Sequence, residues 1–462
     1  MSDFSVPNTR AEVRRLLALA LPVVIGHLGG MLMGVVDTAM MGRVGAADLA
    51  AATLGHIVLM AVTFPMMGVL MGSDPLMSQA FGARNAERIA LLAQRTIVLV
   101  PLLMVPVVCV AFAGPWLLEL LGQPADVIPM ADSYVKIGLL GVPCFLGFHI
   151  ARQYLQVRGI VRQAMWVMLL ANVLNALGNW VLIFGNLGAP ALGLEGSAWT
   201  TAAVRCVMLA WLVAWIRRDG LHVGFWRRWD RSSFEGLGRI VRLGVPIAIG
   251  LAVEVWAFQA SSLLAGQLGE NALAAHSIVF TVVSLVFMVP LGIGIASSIR
   301  VGNLVGAGDP EGAQRTAHVA LGLGAAFMGT MSLGFLVGGD GLAHLFTDEP
   351  ELLALALGLF PIAAAFQVFD GAQTICAGIL RGMGNTTLPA VAHGLGFYVL
   401  GLPAAWVMLR VGEADLREIW WGLCMGLVVV STVLVTRVLR RGPRFSVALE
   451  PEAPISATSS ET

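Results

Sequence analysis

Residues 16–42 read LLALALPVVIGHLGGMLMGVVDTAMMG. This run is interrupted by one ionisable acid, Asp37, and by His27. A bilayer core is crossed by about 20 mostly apolar residues in helical form, so the stretch is long enough to span. It is too long for the apolar core of a signal peptide, and no cleavage site precedes its continuation. It reads as an uncleaved first transmembrane helix, preceded by a polar segment carrying Arg10, Arg14 and Arg15.

Working outward, eleven further runs qualify, near 53–77, 91–113, 133–153, 163–185, 194–216, 238–264, 276–299, 316–338, 353–377, 388–409 and 418–437. The run from 194 is interrupted by Arg205. The composition agrees: 57% of the 462 residues are hydrophobic and 12% charged, with a mean hydropathy of +0.82. A soluble domain carries roughly twice that charge fraction. A net charge of +0 gives no field directed at nucleic acid. The five cysteines lie in apolar runs without CxxC spacing, as small buried hydrophobes do.

The basic residues are distributed unevenly. Alternating sides span by span puts 23 Lys and Arg on the side of both termini and 4 on the other, with Arg205 inside a span. By the positive-inside rule both termini face the cytoplasm, in a bacterial inner membrane.

The chain also repeats. Laid on itself without a gap, Pro22 matches Pro246, Gly26 matches Gly250, and Leu49-Ala50-Ala51 matches Leu273-Ala274-Ala275. In the same register Gly68, Ser73 and Gly82 match Gly292, Ser297 and Gly306. Six helices per half bring both halves in from the same side, a parallel repeat about an axis along the membrane normal. The expected fold is an all-α integral membrane protein of about twelve transmembrane helices in two pseudo-symmetric six-helix lobes. Its expected parts are a cytoplasmic N-terminus (1–15), an N-lobe (16–216), a cytoplasmic inter-lobe loop (217–237), a C-lobe (238–438) and a disordered cytoplasmic tail (439–462).

Three acids sit well inside spans: Asp37, Glu254 and Asp370. Each costs about 2.5–3.5 kcal/mol at mid-membrane, which makes an intramembrane acid a functional candidate by default. In the tenth span Gln367, Asp370, Gln373 and Thr374 form a polar stripe, and in the fifth Asn172, Asn175 and Asn179 form another. Interhelical hydrogen bonding and a direct role both stay open for the asparagines. Carboxylates with amide and hydroxyl oxygens suit Na⁺, and two neighbouring acids could equally share a proton. Asp74 reads as a cap or turn residue, and the scattered histidines His27, His56, His149, His276 and His393 read as packing or interface groups. Arg205 is expected to pair with an acid or with carbonyls.

Several of these segments resemble the multidrug and toxic compound extrusion (MATE) family, in its NorM-like branch. They are Val36-Asp37-Thr38-Ala39-Met40-Met41-Gly42, Pro246-Ile247-Ala248 leading to Glu254, Ala274-Ala275-His276, Ser284 to Pro290, Phe369-Asp370-Gly371 and Gly378-Ile379-Leu380-Arg381-Gly382. The resemblance implies two six-helix lobes in a V with drug bound between or within them. It makes Asp37 the N-lobe acid tied to substrate or proton, with Asn175, Asn179 and Thr201 in the surrounding polar network. Glu254 and Asp370, with Gln367 and Gln373 beside them, become the site of the coupling cation, where Na⁺ fits. Where this chain has Asn179 the archaeal and DinF-like branch tends to carry an acid, so the C-lobe pair is the better coupling candidate.

The expected function is secondary active efflux of organic cations by antiport with Na⁺ or H⁺, through alternating access of the two lobes. The expected partners are cationic amphiphilic small molecules and membrane lipid, with no nucleic acid, no obligate protein partner and no cofactor beyond the coupling ion. A flippase of lipid-linked sugars on the same fold is the alternative; it needs cationic cavity residues, whereas the mid-span charges here are mostly acidic. No HExxH-type cluster points to a membrane enzyme, and a two-fold lobe repeat suits rocking better than a channel.

Overall fold

The computed structural model describes residues 8–221, 231–411 and 415–449. Residues 222–230 of the expected inter-lobe loop and 450–462 of the expected tail lie outside them. Among the described residues twelve helices are long and apolar enough to cross a membrane. They are α1 (Thr9–Met41), α2 (Ala46–Gly82), α3 (Ala86–Leu120), α4 (Val127–Gln156), α5 (Arg162–Leu182) and α6 (Gly193–Arg218) in the first half. The second half has α7 (Leu237–Gln267), α8 (Glu270–Gly306), α9 (Pro310–His344), α10 (Pro350–Gly382), α11 (Thr387–Val411) and α12 (Leu416–Arg441). The described residues are helical without strands, as a bilayer requires: every backbone polar group must be satisfied within its own span.

Most helices extend beyond the expected runs, and two of the differences have a clear physical cause. Helix α1 begins at Thr9, before the apolar run, because Asn8 caps it: Asn8 Oδ1 accepts from the Ala11 amide at 2.8 Å. The expected tail from 439 is ordered as far as Leu449. Helix α12 continues to Arg441, Pro443–Phe445 form a single 3₁₀ turn, and the Leu449 amide donates to Gln79 Oε1 at 2.7 Å. The expectation of disorder rests on the polar composition of 446–462; within its described part, Leu449 packs against the core of the first half.

Each lobe has its own hydrophobic core, and at the basic end the lobes exchange helix ends. Leu16 and Ala20 of α1 lie in a cluster with α8, α9, α10 and α12, while Ile240 of α7 lies in the cluster of the first half. Leu16 and Ile240 occupy equivalent positions of the two repeats. The repeat glycines show the same exchange. A Cβ on Gly68 would stand 2.6 Å from Ala248 Cα, and one on Gly292 would overlap Val24. Gly82 meets the carbonyl of Asn303, and Gly306 that of Gln79. The repeat register turns each contact into the other. Two of the repeated glycine pairs, Gly68/Gly292 and Gly82/Gly306, are therefore places where opposite lobes touch with no room for a side chain; at the third pair Gly26 is open and Gly250 faces Ala390 of its own half. Gly72, at the bend of α2, lies against Ile240 and Gly244 in the same way.

Polar bonds close the same seam. Glu12, fully buried, makes a two-pronged ion pair with Arg300 (3.0 Å to Nε, 3.2 Å to an Nη) and accepts from Thr316 Oγ1 at 2.7 Å. Gln79 Nε2 donates to the carbonyl of Gly382 at 3.0 Å. These contacts all lie at the ends that carry the basic residues. Toward the opposite ends the same helices have exposed apolar side chains, Leu32 and Val35 on α1 and Leu263 on α7.

Candidate functional site

In the first half the site is built on α1 and α5. Asn179 Nδ2 donates to Asp37 Oδ1 at 2.6 Å and also lies 3.4 Å from Asn175 Oδ1. Both asparagines are fully buried and Asp37 is half-buried. The asparagine stripe divides in two. Asn172, half-buried, donates to the carbonyl of Gly29 at 2.9 Å and ties α5 to α1, whereas Asn179 holds the acid. Thr201 Oγ1 has no hydrogen bond, so it is not joined to Asp37 in this state. Arg205, expected to pair with an acid or carbonyls, instead stands over the Phe145 ring at 5.0 Å and leaves one guanidinium nitrogen buried and unbonded. Its charge still acts on Asp37.

In the second half α7, α10 and α11 converge on one amide. Gln373 Nε2 lies 2.9 Å from Glu254 Oε1, 3.2 Å from Asp370 Oδ1 and 2.9 Å from Thr374 Oγ1. Its carbonyl, Oε1, is 2.7 Å from His393 Nε2. An amide nitrogen carries two protons, so three oxygens compete for two donors and one is always left over. Because an amide oxygen only accepts, His393 donates through Nε2; its Nδ1 is buried without a partner, and in the neutral ring it is a bare acceptor. The cluster has a surplus of acceptors, the chemistry of a site for a cation or a proton.

These groups line a cavity of about 280 Å³ whose other walls include Phe258, Phe280, Phe287, Phe366 and Met288. Phe258 lies edge-to-face with Phe366 and with Phe397, at centroid distances of 6.1 and 5.8 Å. Aromatic faces around a carboxylate pair accept apolar cations, by packing and by cation–π attraction.

Gln367 does not join the cluster. It is fully buried, neither of its amide atoms is bonded, and it is not in the cavity wall. At that level α10 packs against α9, where Ser332 Oγ donates to Ala364 O at 2.8 Å. His393 is the residue that sequence reading missed. It is a lone histidine with no periodic partner, and only the placement of α11 brings it to Gln373. A π-helical segment, Gly394–Gly401, begins just after it; such segments often mark functional positions. Arg381, named in the sequence only within the Gly378–Gly382 segment, also lines the cavity, and its charge interacts with Glu254 and with Asp74. Asp74 stands in the first turn after the α2 bend, where Arg152 and Arg381 both act on it.

The MatE family pattern matches this chain twice, over residues 22–181 and 246–407. The two matches start at the paired prolines, Pro22 and Pro246. The chain is 36% identical over 446 residues to a probable multidrug resistance protein NorM of Mesorhizobium japonicum, covering 94% of each chain. It is 34% identical over 426 residues to multidrug resistance protein NorM of Burkholderia vietnamiensis, covering 91% of this chain and 92% of that one. In fold it is similar to the Vibrio cholerae MATE transporter VcmN in its bent form, with a TM-score of 0.85 at 18% identity, over 95% of this chain and 98% of that one. With both halves matched by the family pattern, and with NorM relatives aligned along nearly the whole length, the chain belongs to the MATE family of membrane transporters.

Proposed function

We propose that this protein is a secondary active multidrug exporter that moves organic cations out of the cell in exchange for Na⁺ or H⁺. The observation that carries the reading is the Gln373 amide shared by two carboxylates and a hydroxyl inside an aromatic-lined cavity. Two carboxylates held together in a medium of low dielectric cannot both stay ionised without a counter-cation. A coupling ion and a cationic drug then compete for the same negative charge, directly or through the state of the cavity, and competition of that kind is antiport.

On the positive-inside rule the basic ends face the cytoplasm. The seam is closed there by the glycine contacts and by Glu12–Arg300, so this conformation is the one whose drug path opens away from the cytoplasm. Alternating access requires those contacts to break as the lobes rock. The names of the NorM relatives support multidrug resistance as the role.

The test is efflux of a fluorescent organic cation from cells or inverted vesicles, with Na⁺ and pH gradients imposed separately. One of the two gradients is expected to drive efflux and its collapse to stop it; efflux indifferent to both would rule out antiport. Asp37→Asn is expected to cut export of permanently charged cations at least tenfold and to affect neutral analogues less. A unit-charge attraction of about 1–4 kcal/mol at close range is enough for that difference. Equal rates for wild type and variant on both substrates would remove Asp37 from the substrate path.

A further inference from the structure

A second cavity, of about 720 Å³, opens on the basic face of the second half and has no part in the acid cluster. Four arginines line it: Arg242 from the first turns of α7, and Arg437, Arg440 and Arg441 from the end of α12. The turn between α10 and α11 forms its floor, and Phe445–Val447 of the ordered tail form one wall. Arg437 donates to the carbonyl of Arg441. No described carboxylate pairs with any of the four.

Helix dipoles explain part of this arrangement, since cations are favoured at a helix C-terminus such as the end of α12. They do not explain Arg242, which stands near the N-terminus of α7, where a cation is disfavoured. Arg242, Arg440 and Arg441 are exposed, so solvent screens part of the repulsion among the four charges, and an anion among them would offset the rest. The wall supplies a further free group: Ser446 Oγ is buried and has no hydrogen-bond partner. Guanidinium groups and a free hydroxyl lining one cavity match the charge and the acceptor chemistry of a phosphate group, which accepts several charge-assisted hydrogen bonds at once.

We infer that this cavity binds a phosphate-bearing anion, either the headgroup of an anionic phospholipid in the adjoining leaflet or a soluble phosphate. The ligand is held by Arg242, Arg437, Arg440 and Arg441 and closed in by the tail segment 443–449. Occupancy steadies that segment, which spans the seam: the Arg444 amide donates to Gln314 on α9 at 3.3 Å and the Leu449 amide to Gln79 on α2.

The experiment uses the full chain in nanodiscs. One arm compares phosphatidylcholine discs with discs containing phosphatidylglycerol; the other titrates inorganic phosphate into pure phosphatidylcholine discs. The readouts are lipid or phosphate retained in native mass spectrometry and amide exchange of residues 443–449. The variants are Arg440→Gln/Arg441→Gln and, as a control on the same face of the other half, Arg217→Gln/Arg218→Gln. In at least one arm the wild type and the control are expected to retain the probe and slow exchange in 443–449 at least threefold, while the pocket variant does neither. A response confined to phosphatidylglycerol identifies lipid as the source, and one confined to phosphate identifies a soluble ligand. If neither probe separates wild type from the pocket variant, or the control loses as much as the pocket variant, the site does not exist.

Discussion

Asp370→Asn and Glu254→Gln are each expected to lower ion-driven efflux by about 100-fold, a loss of about 2.7 kcal/mol from the coupled step. Either change leaves a neutral amide beside Gln373, where the cluster now holds two acids (3.2 and 2.9 Å from Nε2). With one carboxylate neutralised, the two Gln373 amide protons match the remaining carboxylate and Thr374, and the paired negative charge that calls for a cation is gone. Drug binding is expected to survive in part, because the aromatic walls are intact. The measurement is ²²Na⁺ binding to purified wild type and both variants, with proton release followed in parallel. Were the acids only helix-to-helix ties, Asn and Gln would serve nearly as well. Ion binding and ion-driven efflux at wild-type levels in both variants would reject the coupling site.

The other large effect is expected at the seam. Arg300→Met leaves the fully buried Glu12 carboxylate with the Thr316 hydroxyl and the more distant Arg15, 4.0 Å away, as its partners. Removing one member of a buried ion pair costs about 3–5 kcal/mol. That cost falls on the conformation in which the basic ends are closed, and it is enough to shift a two-state equilibrium by more than 100-fold. Spin-label distances across the seam between the basic ends of α2 and α8 are expected to lengthen in Arg300→Met. The double variant Glu12→Gln/Arg300→Met buries no lone charge and is expected to recover much of the closed population. That recovery separates a shifted equilibrium from a misfolded protein. Unchanged distances in the single variant would mean that the glycine contacts and the Gln79 hydrogen bonds hold the seam without the ion pair.

Twelve spans and the two-fold repeat were legible in the sequence because both are carried by local signals. Hydropathy over about 20 residues reports a span without reference to any neighbour, and Pro22/Pro246 and the glycine pairs are visible by alignment of the chain on itself. The three intramembrane acids were legible for the same reason: an ionisable group in an apolar run stands out by its cost. The helical period also placed Asp370 and Gln373 on one face. It could not separate them from Gln367, because a period records angle around the helix and not which neighbour covers each level.

The sequence alone therefore determined that this chain crosses a membrane in twelve helices, that it is built twice over, and which acids carry the largest burial cost. Only the tertiary structure decided that Gln373 joins Glu254, Asp370 and His393, that two of the repeated glycine pairs touch across the lobes, and that Glu12 meets Arg300. It also decided that the tail through Leu449 packs across the seam. Those outcomes depend on how each helix is rotated and crossed against partners 20 to 370 residues away. Such rotations are set by the packing of many side chains at once, and a local pattern of residues contains no measure of them.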